Sequence, residues 1–144
     1  MRLSRKFASL GLTAAATAGL VLGTAPQSSA SAHLTCPDHE TYCMTFYFNS
    51  GNAGSYTVFR GFDHYSLDGY KFLGAGAGKG QYVKNNAASA ANLAPYNLVI
   101  YYNSNLSGAC DALPKFSSAS RLVNTYNENA SFGYGRYDGN CYKF

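Results

Sequence analysis

Three histidines, seven carboxylates and four cysteines are the side chains in this 144-residue chain that could transfer protons, hold a metal or change redox state. His39-Glu40 opens like a zinc-peptidase helix, but no second histidine follows at the spacing that would put two imidazoles on one metal. Asp63-His64 could join one of the many serines in a hydrolytic triad, yet no serine lies in the glycine-flanked turn that exposes a nucleophile. Asp63, His64 and Asp68 read instead as residues of a solvated loop. Glycoside hydrolysis needs two carboxylates facing each other, and the acids here are scattered without a pairing pattern. Gly74-Ala75-Gly76-Ala77-Gly78-Lys79-Gly80 has the composition of a phosphate-binding loop but not its order: Leu73 stands at the first glycine position, and Gly80 where Ser or Thr would hold magnesium. It reads as a mobile surface loop between strands. The chain is expected to act by binding and not as an enzyme.

The cysteines Cys36, Cys43, Cys110 and Cys141 are even in number within a short chain, which reads as two disulfides. Three pairings are open. The closeness of Cys36 to Cys43, and the shared C-terminal position of Cys110 and Cys141, favour Cys36–Cys43 and Cys110–Cys141. A zinc site would need tighter paired spacing and histidine ligands that His33, His39 and His64 do not supply.

The elements that must position these residues begin after an export leader. Arg2, Arg5 and Lys6 precede an uncharged, alanine-rich apolar stretch from Phe7 to Gly23, and Ala30-Ser31-Ala32 offers small residues to a signal peptidase. Residues 1–32 are therefore expected to be a secretory signal peptide, cut before His33 or, failing that, before Ser31. The remaining 33–144 form one domain, exported, extracellular, monomeric and free of the membrane. Removing the leader changes the charge: eight basic residues face seven acidic ones, a net of +1 against +4 for the whole chain. With no Lys/Arg cluster in 33–144, a nucleic-acid partner is excluded. All thirteen tyrosines and eight of the nine phenylalanines lie in this part among many Asn and Gly. Aromatic residues suit pleated, half-buried surfaces and Asn and Gly suit tight turns, so the composition predicts an all-β domain.

One pattern occurs twice. Met44-Thr45-Phe46-Tyr47-Phe48-Asn49-Ser50-Gly51-Asn52-Ala53-Gly54 aligns at an offset of 54 with Leu98-Val99-Ile100-Tyr101-Tyr102-Asn103-Ser104-Asn105-Leu106-Ser107-Gly108. Each copy is an apolar strand, a polar loop and a glycine, and each resumes as a strand, Tyr56-Thr57-Val58-Phe59 and Cys110-Asp111-Ala112-Leu113. That is a hairpin. Asn85-Asn86-Ala87-Ala88-Ser89 follows the first copy and Asn127-Glu128-Asn129-Ala130-Ser131 the second, each ahead of a returning strand. Two Greek keys result, about 42–95 and about 96–144, expected to pack as a sandwich because neither alone has enough core.

The paired pattern resembles the βγ-crystallin fold, whose signature is an aromatic, four residues, an aromatic, one residue and a glycine. Tyr47 to Gly54 fits with Asn52 at the second aromatic position, and Tyr101 to Gly108 fits with Leu106 there. The resemblance implies that a serine from a later strand bonds each folded hairpin, a place matched by Ser89 and Ser131. It also implies a calcium option, through an Asn/Asp pair, two residues and Ser/Thr-Ser: Asn85, Asn86 and Ser89 in one copy, with Ala90 in place of the last Ser, and Asn127, Glu128 and Ser131 in the other. Calcium prefers several charged oxygens, so weak binding or a vestigial site is expected and no cofactor is required for folding.

Within that fold, the exported chain with Cys36-Pro37 ahead of Cys43 is most similar to the secreted Streptomyces metalloproteinase-inhibitor family, single domains with two disulfides. The resemblance implies an extracellular protease as partner and peptidase inhibition as the function. That family holds its reactive segment with a closely spaced cysteine pair in the second half. Cys110 and Cys141 are far apart, so no reactive residue is carried across. The alternatives are a calcium-binding module and a module that binds cell-wall polysaccharide or chitin through exposed tyrosine faces, although most of the tyrosines are expected to serve in the core and in cross-strand pairs.

Overall fold

A computed structural model describes residues 32–136 and 140–144, so the expected leader and its cleavage site lie almost wholly outside the described residues. Eight strands follow in chain order: β1 (Cys43–Asn49), β2 (Ala53–Arg60), β3 (Ser89–Asn92), β4 (Leu98–Asn103), β5 (Ser107–Leu113), β6 (Ser118–Ala119), β7 (Ser131–Tyr134) and β8 (Cys141–Lys143). They form two four-stranded sheets, ordered β2-β1-β3-β6 and β7-β4-β5-β8, and no helix occurs among the described residues.

The repeat seen in the sequence is a repeat of hydrogen-bond register. In the first hairpin Met44 faces Phe59, Phe46 faces Thr57, Tyr47 faces Tyr56 and Asn49 faces Ala53. Adding 54 to each number gives the second: Leu98 with Leu113, Ile100 with Asp111, Tyr101 with Cys110, Asn103 with Ser107. The register shifts at the same point in both, between Tyr47 and Asn49 and between Tyr101 and Asn103. The returning strands keep step too, with Tyr47 against Ser89 and Tyr101 against Ser131.

Period-two alternation puts Met44 and Phe46 of β1, Phe59 of β2, Leu98 and Ile100 of β4, Leu113 of β5 and Phe132 and Tyr134 of β7 into one core. Each half lends a short segment to the opposite sheet: β6 pairs with β3, through Ala90 and Ala119, and His64 bridges Phe132 of β7. Neither half closes alone.

The outer hairpin strands would present bare edges, a template for unwanted pairing. Both are covered by the ends of the described domain. His33 exchanges backbone bonds with Val58 of β2, and β8 pairs in parallel with β5. A disulfide fixes each cover, Cys36–Cys43 and Cys110–Cys141, the pairing that proximity in sequence favours.

Candidate functional site

The hairpins are folded over by two serines. Ser89 Oγ donates to the Asn49 carbonyl at 2.6 Å and accepts the Asn52 N–H at 3.1 Å. Ser131 Oγ does the same with the Asn103 carbonyl, 2.6 Å, and the Leu106 N–H, 3.1 Å. Both serines are fully buried. Each loop then needs a residue with positive φ at the start of its return strand, supplied by Gly54 (φ 77°) and Gly108 (φ 87°), where a side chain would be strained. Asn52 and Leu106, at the degenerate aromatic position, also take φ near 55°.

Folded hairpins bonded by a serine, identical registers and exchanged segments define the architecture. This is the βγ-crystallin fold. A solved structure from work on the evolution of the eye lens βγ-crystallin domain fold superposes with a TM-score of 0.56 at 10% sequence identity, over 75% of this chain and 98% of that one. A βγ-crystallin domain from Flavobacterium johnsoniae gives a TM-score of 0.48 at 20% identity, over 67% of this chain and 96% of that one. No family model matches the sequence, and no curated protein matches it. At such identities the likeness concerns fold alone, so function must be argued from this βγ-crystallin-like chain's own residues.

The two Asn-rich loops meet. Asn85 N–H donates to the Asn129 carbonyl at 2.9 Å, Asn127 N–H donates to the Ala87 carbonyl at 3.0 Å, and Asn129 Oδ1 accepts the Ala87 N–H at 3.1 Å. These bonds tie the halves together and use oxygens that an ion would want. Ser89 and Ser131 are committed to the hairpins, and Asn86 Nδ2 donates to the Lys84 carbonyl at 3.1 Å. Glu128, exposed, is the one carboxylate in the two motifs. Among the described residues no group of three or more His, Cys, Asp or Glu could hold a metal. A neutral, largely committed donor set fits calcium poorly.

Two expectations are corrected. His64 is not solvated: it is 4% exposed, stacked on Phe132 with ring centroids 4.6 Å apart, and edge-on to Phe59 at 5.2 Å. Its Nε2 lies 2.9 Å from the Arg60 carbonyl, which can only accept, so the proton sits on that nitrogen. Burial holds the imidazole pKa below its ordinary value, with the Arg60 carbonyl and Asp63 opposing the shift. Asp63 likewise turns inward, bonded to Tyr134 N–H and paired with Arg136 at 2.9 Å. Asp68 is the exposed one of the three, paired with Lys84.

The second correction concerns residues 74–80. They are pinned against the outside of the first hairpin: Ser55 N–H donates to the Ala77 carbonyl at 2.7 Å and Ser55 Oγ to the Gly74 carbonyl at 2.5 Å. A Cβ at Gly74 or Gly78 would strike the ring of Tyr56 or Phe48. The glycines permit close packing, and no phosphate cradle is formed.

One loop projects from this frame with an aromatic side chain at its tip. Residues 114–118 run from the end of β5 into Ser118 of β6, and Phe116 at their tip is 67% exposed. The loop is nevertheless fixed. Asn92, itself buried, donates from Nδ2 to the Tyr96 and Pro114 carbonyls, both at 2.8 Å, and accepts the Ala94 N–H at 3.0 Å on Oδ1. Asn92 N–H donates to the Ser117 carbonyl at 2.7 Å, and Phe116 N–H to the Ala94 carbonyl at 3.2 Å. Ser117 Oγ closes the turn on the Pro114 carbonyl at 2.7 Å. Sequence reasoning missed this loop because its anchor, Asn92, lies more than twenty residues upstream of it and carries no motif.

Proposed function

We propose that this chain is an exported binding protein that inhibits an extracellular metallopeptidase by seating residues 114–118 in the substrate cleft. The single observation that carries the reading is the Asn92 clamp under an exposed Phe116. An inhibitor loop must already be ordered, because each side chain immobilised on binding costs about 0.5–1.5 kcal/mol. Asn92 does by hydrogen bonding what a short disulfide would do by covalent linkage, which answers the absence of a closely spaced cysteine pair in the second half. Phe116 also has φ 52°, outside the extended conformations in which a cleft takes up a substrate strand. The loop can plug a cleft without offering its own peptide bonds for cleavage. Aromatic anchors of this kind dominate binding energy at protein interfaces.

Two disulfides fit an oxidising compartment, and the leader expected at 1–32 would deliver the chain there. Titration of the 33–144 protein into a thermolysin-type peptidase with a fluorogenic peptide tests the reading. Tight, stoichiometric slowing in the low-nanomolar range is expected. Full peptidase activity in excess protein would remove it.

A further inference from the structure

An open groove of about 510 Å³ is lined by Asp68, Gly69, Tyr82, Lys84, Asn85 and Asn86. We infer that this groove binds a neutral oligosaccharide, with Tyr82 as the platform for a sugar ring and the amides and carboxylate around it as hydroxyl partners. The inference is independent of the peptidase reading, since the groove shares no residue with the 114–118 loop.

Four observations carry it. Tyr82 is 55% exposed, its backbone is held by a bridge with Lys71, and the Lys71 Nζ sits over one face of the ring, 5.2 Å from the centroid, while Lys71 is not part of the groove lining. An aromatic ring half open to solvent suits the C–H face of a pyranose, which is apolar on one side and rimmed by hydroxyls. Second, the walls are pre-ordered. Val83 N–H donates to the Tyr70 carbonyl at 2.9 Å, Asn86 N–H to the Val83 carbonyl at 3.1 Å and Asn85 N–H to the Asn129 carbonyl at 2.9 Å. Little ordering cost is left for a ligand to meet.

Third, the polar groups match hydroxyls and not a net charge. Lys84 and Asp68 pair at 2.8 Å and neutralise each other, and Ser66 Oγ donates to the second Asp68 oxygen at 2.8 Å. A phosphate or polyanion would meet that carboxylate, and a cation would meet the ammonium. A hydroxyl both donates and accepts, as do the side-chain amides of Asn85 and Asn86. Asn86 Nδ2 is used on the Lys84 carbonyl, which turns its Oδ1 to acceptor duty. Fourth, the groove is of the size found for small-ligand sites, roughly 300–1,000 Å³, and Gly69 on its wall has no side chain to keep a ring at a distance.

The test is titration of 15N-labelled 33–144 protein with chitotetraose and, separately, cellotetraose, with calcium and with EDTA. Saturable shifts of the Asn85 and Asn86 side-chain amides and the Gly69 amide are expected, with or without calcium. The N-acetyl arm tells whether the acetamido group adds to the shared sugar chemistry. Tyr82→Ala should weaken binding about tenfold or more while Tyr82→Phe keeps it within about threefold, since the ring face and not the hydroxyl carries the contact. Tyr82 is exposed, so amide spectra of the two variants should superpose on the parent away from the groove. No shifts with either sugar at millimolar concentration would overturn the inference. So would shifts mapped elsewhere, shifts seen only with calcium, or binding unchanged in Tyr82→Ala.

Discussion

The two Greek keys agree in the registers of the hairpin and the returning strand and differ in how they anchor the segment that follows the second strand. Phe46 faces Thr57 in the first half and Ile100 faces Asp111 in the second, at the same position of the same hairpin. Thr57 Oγ1 donates to the Lys71 carbonyl at 2.8 Å and accepts the Leu73 N–H at 3.0 Å. The fully buried Asp111 carboxylate accepts the N–H groups of Val123, Asn124 and Thr125 and the Thr125 hydroxyl, the last at 2.6 Å. The second connection is twelve residues shorter, the difference between the offsets of 54 for the hairpins and 42 for the returning serines. The longer one can pack residues 74–80 over the hairpin, whereas the shorter one is gathered around a single carboxylate. The two halves share the frame and differ in their connections.

The sharpest way to break that comparison is to remove both anchors. Asp111→Ala removes four hydrogen bonds and strands the fully buried N–H and hydroxyl of Thr125, and should cost about 4 kcal/mol, whereas Thr57→Val, which strands the Lys71 carbonyl but leaves the Leu73 N–H its bond to the Tyr56 carbonyl, should cost about 1 kcal/mol. Urea denaturation of the two variants reads the difference, and equal losses would show that the halves are anchored alike.

The covers on the outer strands give the next contrast. Cys110–Cys141 closes 31 residues and Cys36–Cys43 closes 7. Loop entropy assigns about 3.7 kcal/mol to the first and about 2.4 kcal/mol to the second. Paired Cys→Ser variants measured by thermal unfolding should follow that order, and a reversed order would show that the N-terminal cover carries the greater share.

The smallest expected effect concerns the exchanged segments, where His64 of the first half corresponds to Ala119 of the second. The His64 pKa is lowered in the folded state. Its contribution to stability is therefore complete above its unfolded value near 6.5 and is lost as pH falls through the lower folded value. Stability should decline on acidification below about pH 6.5, and His64→Phe should remove that part of the slope. An unchanged slope would place the pH dependence elsewhere.

The strands and the Cys36–Cys43 disulfide were legible from local traces, an alternating run and a cysteine pair close in sequence; Cys110–Cys141 followed as the remaining pair, and the serine locks were implied by the resemblance to the βγ-crystallin fold. Asp111 was not, although it is the most heavily bonded acid among the described residues, because its partners are backbone N–H groups whose residues, Val123 and Asn124, announce nothing. His64 looked solvated because its neighbours Asp63 and Tyr65 are polar, and only the exchange between halves brings Phe132 onto its ring. The glycines at 74–80 marked a loop correctly but could not reveal the rings of Tyr56 and Phe48 beneath it.

The same pairing of halves isolates the functional claim. Phe62 follows β2 and Phe116 follows β5, but Phe62 packs edge-on against Tyr42 at 5.0 Å and is 47% exposed, while Phe116 projects. Peptidase inhibition and melting temperature, measured together on Phe116→Ala and Phe62→Ala, test it most directly. Phe116→Ala should weaken inhibition about thirtyfold or more with melting unchanged. Phe62→Ala should lose about 1 kcal/mol of stability and keep its inhibition. Inhibition that survives in Phe116→Ala, or falls equally in both, would contradict the assignment of the 114–118 loop.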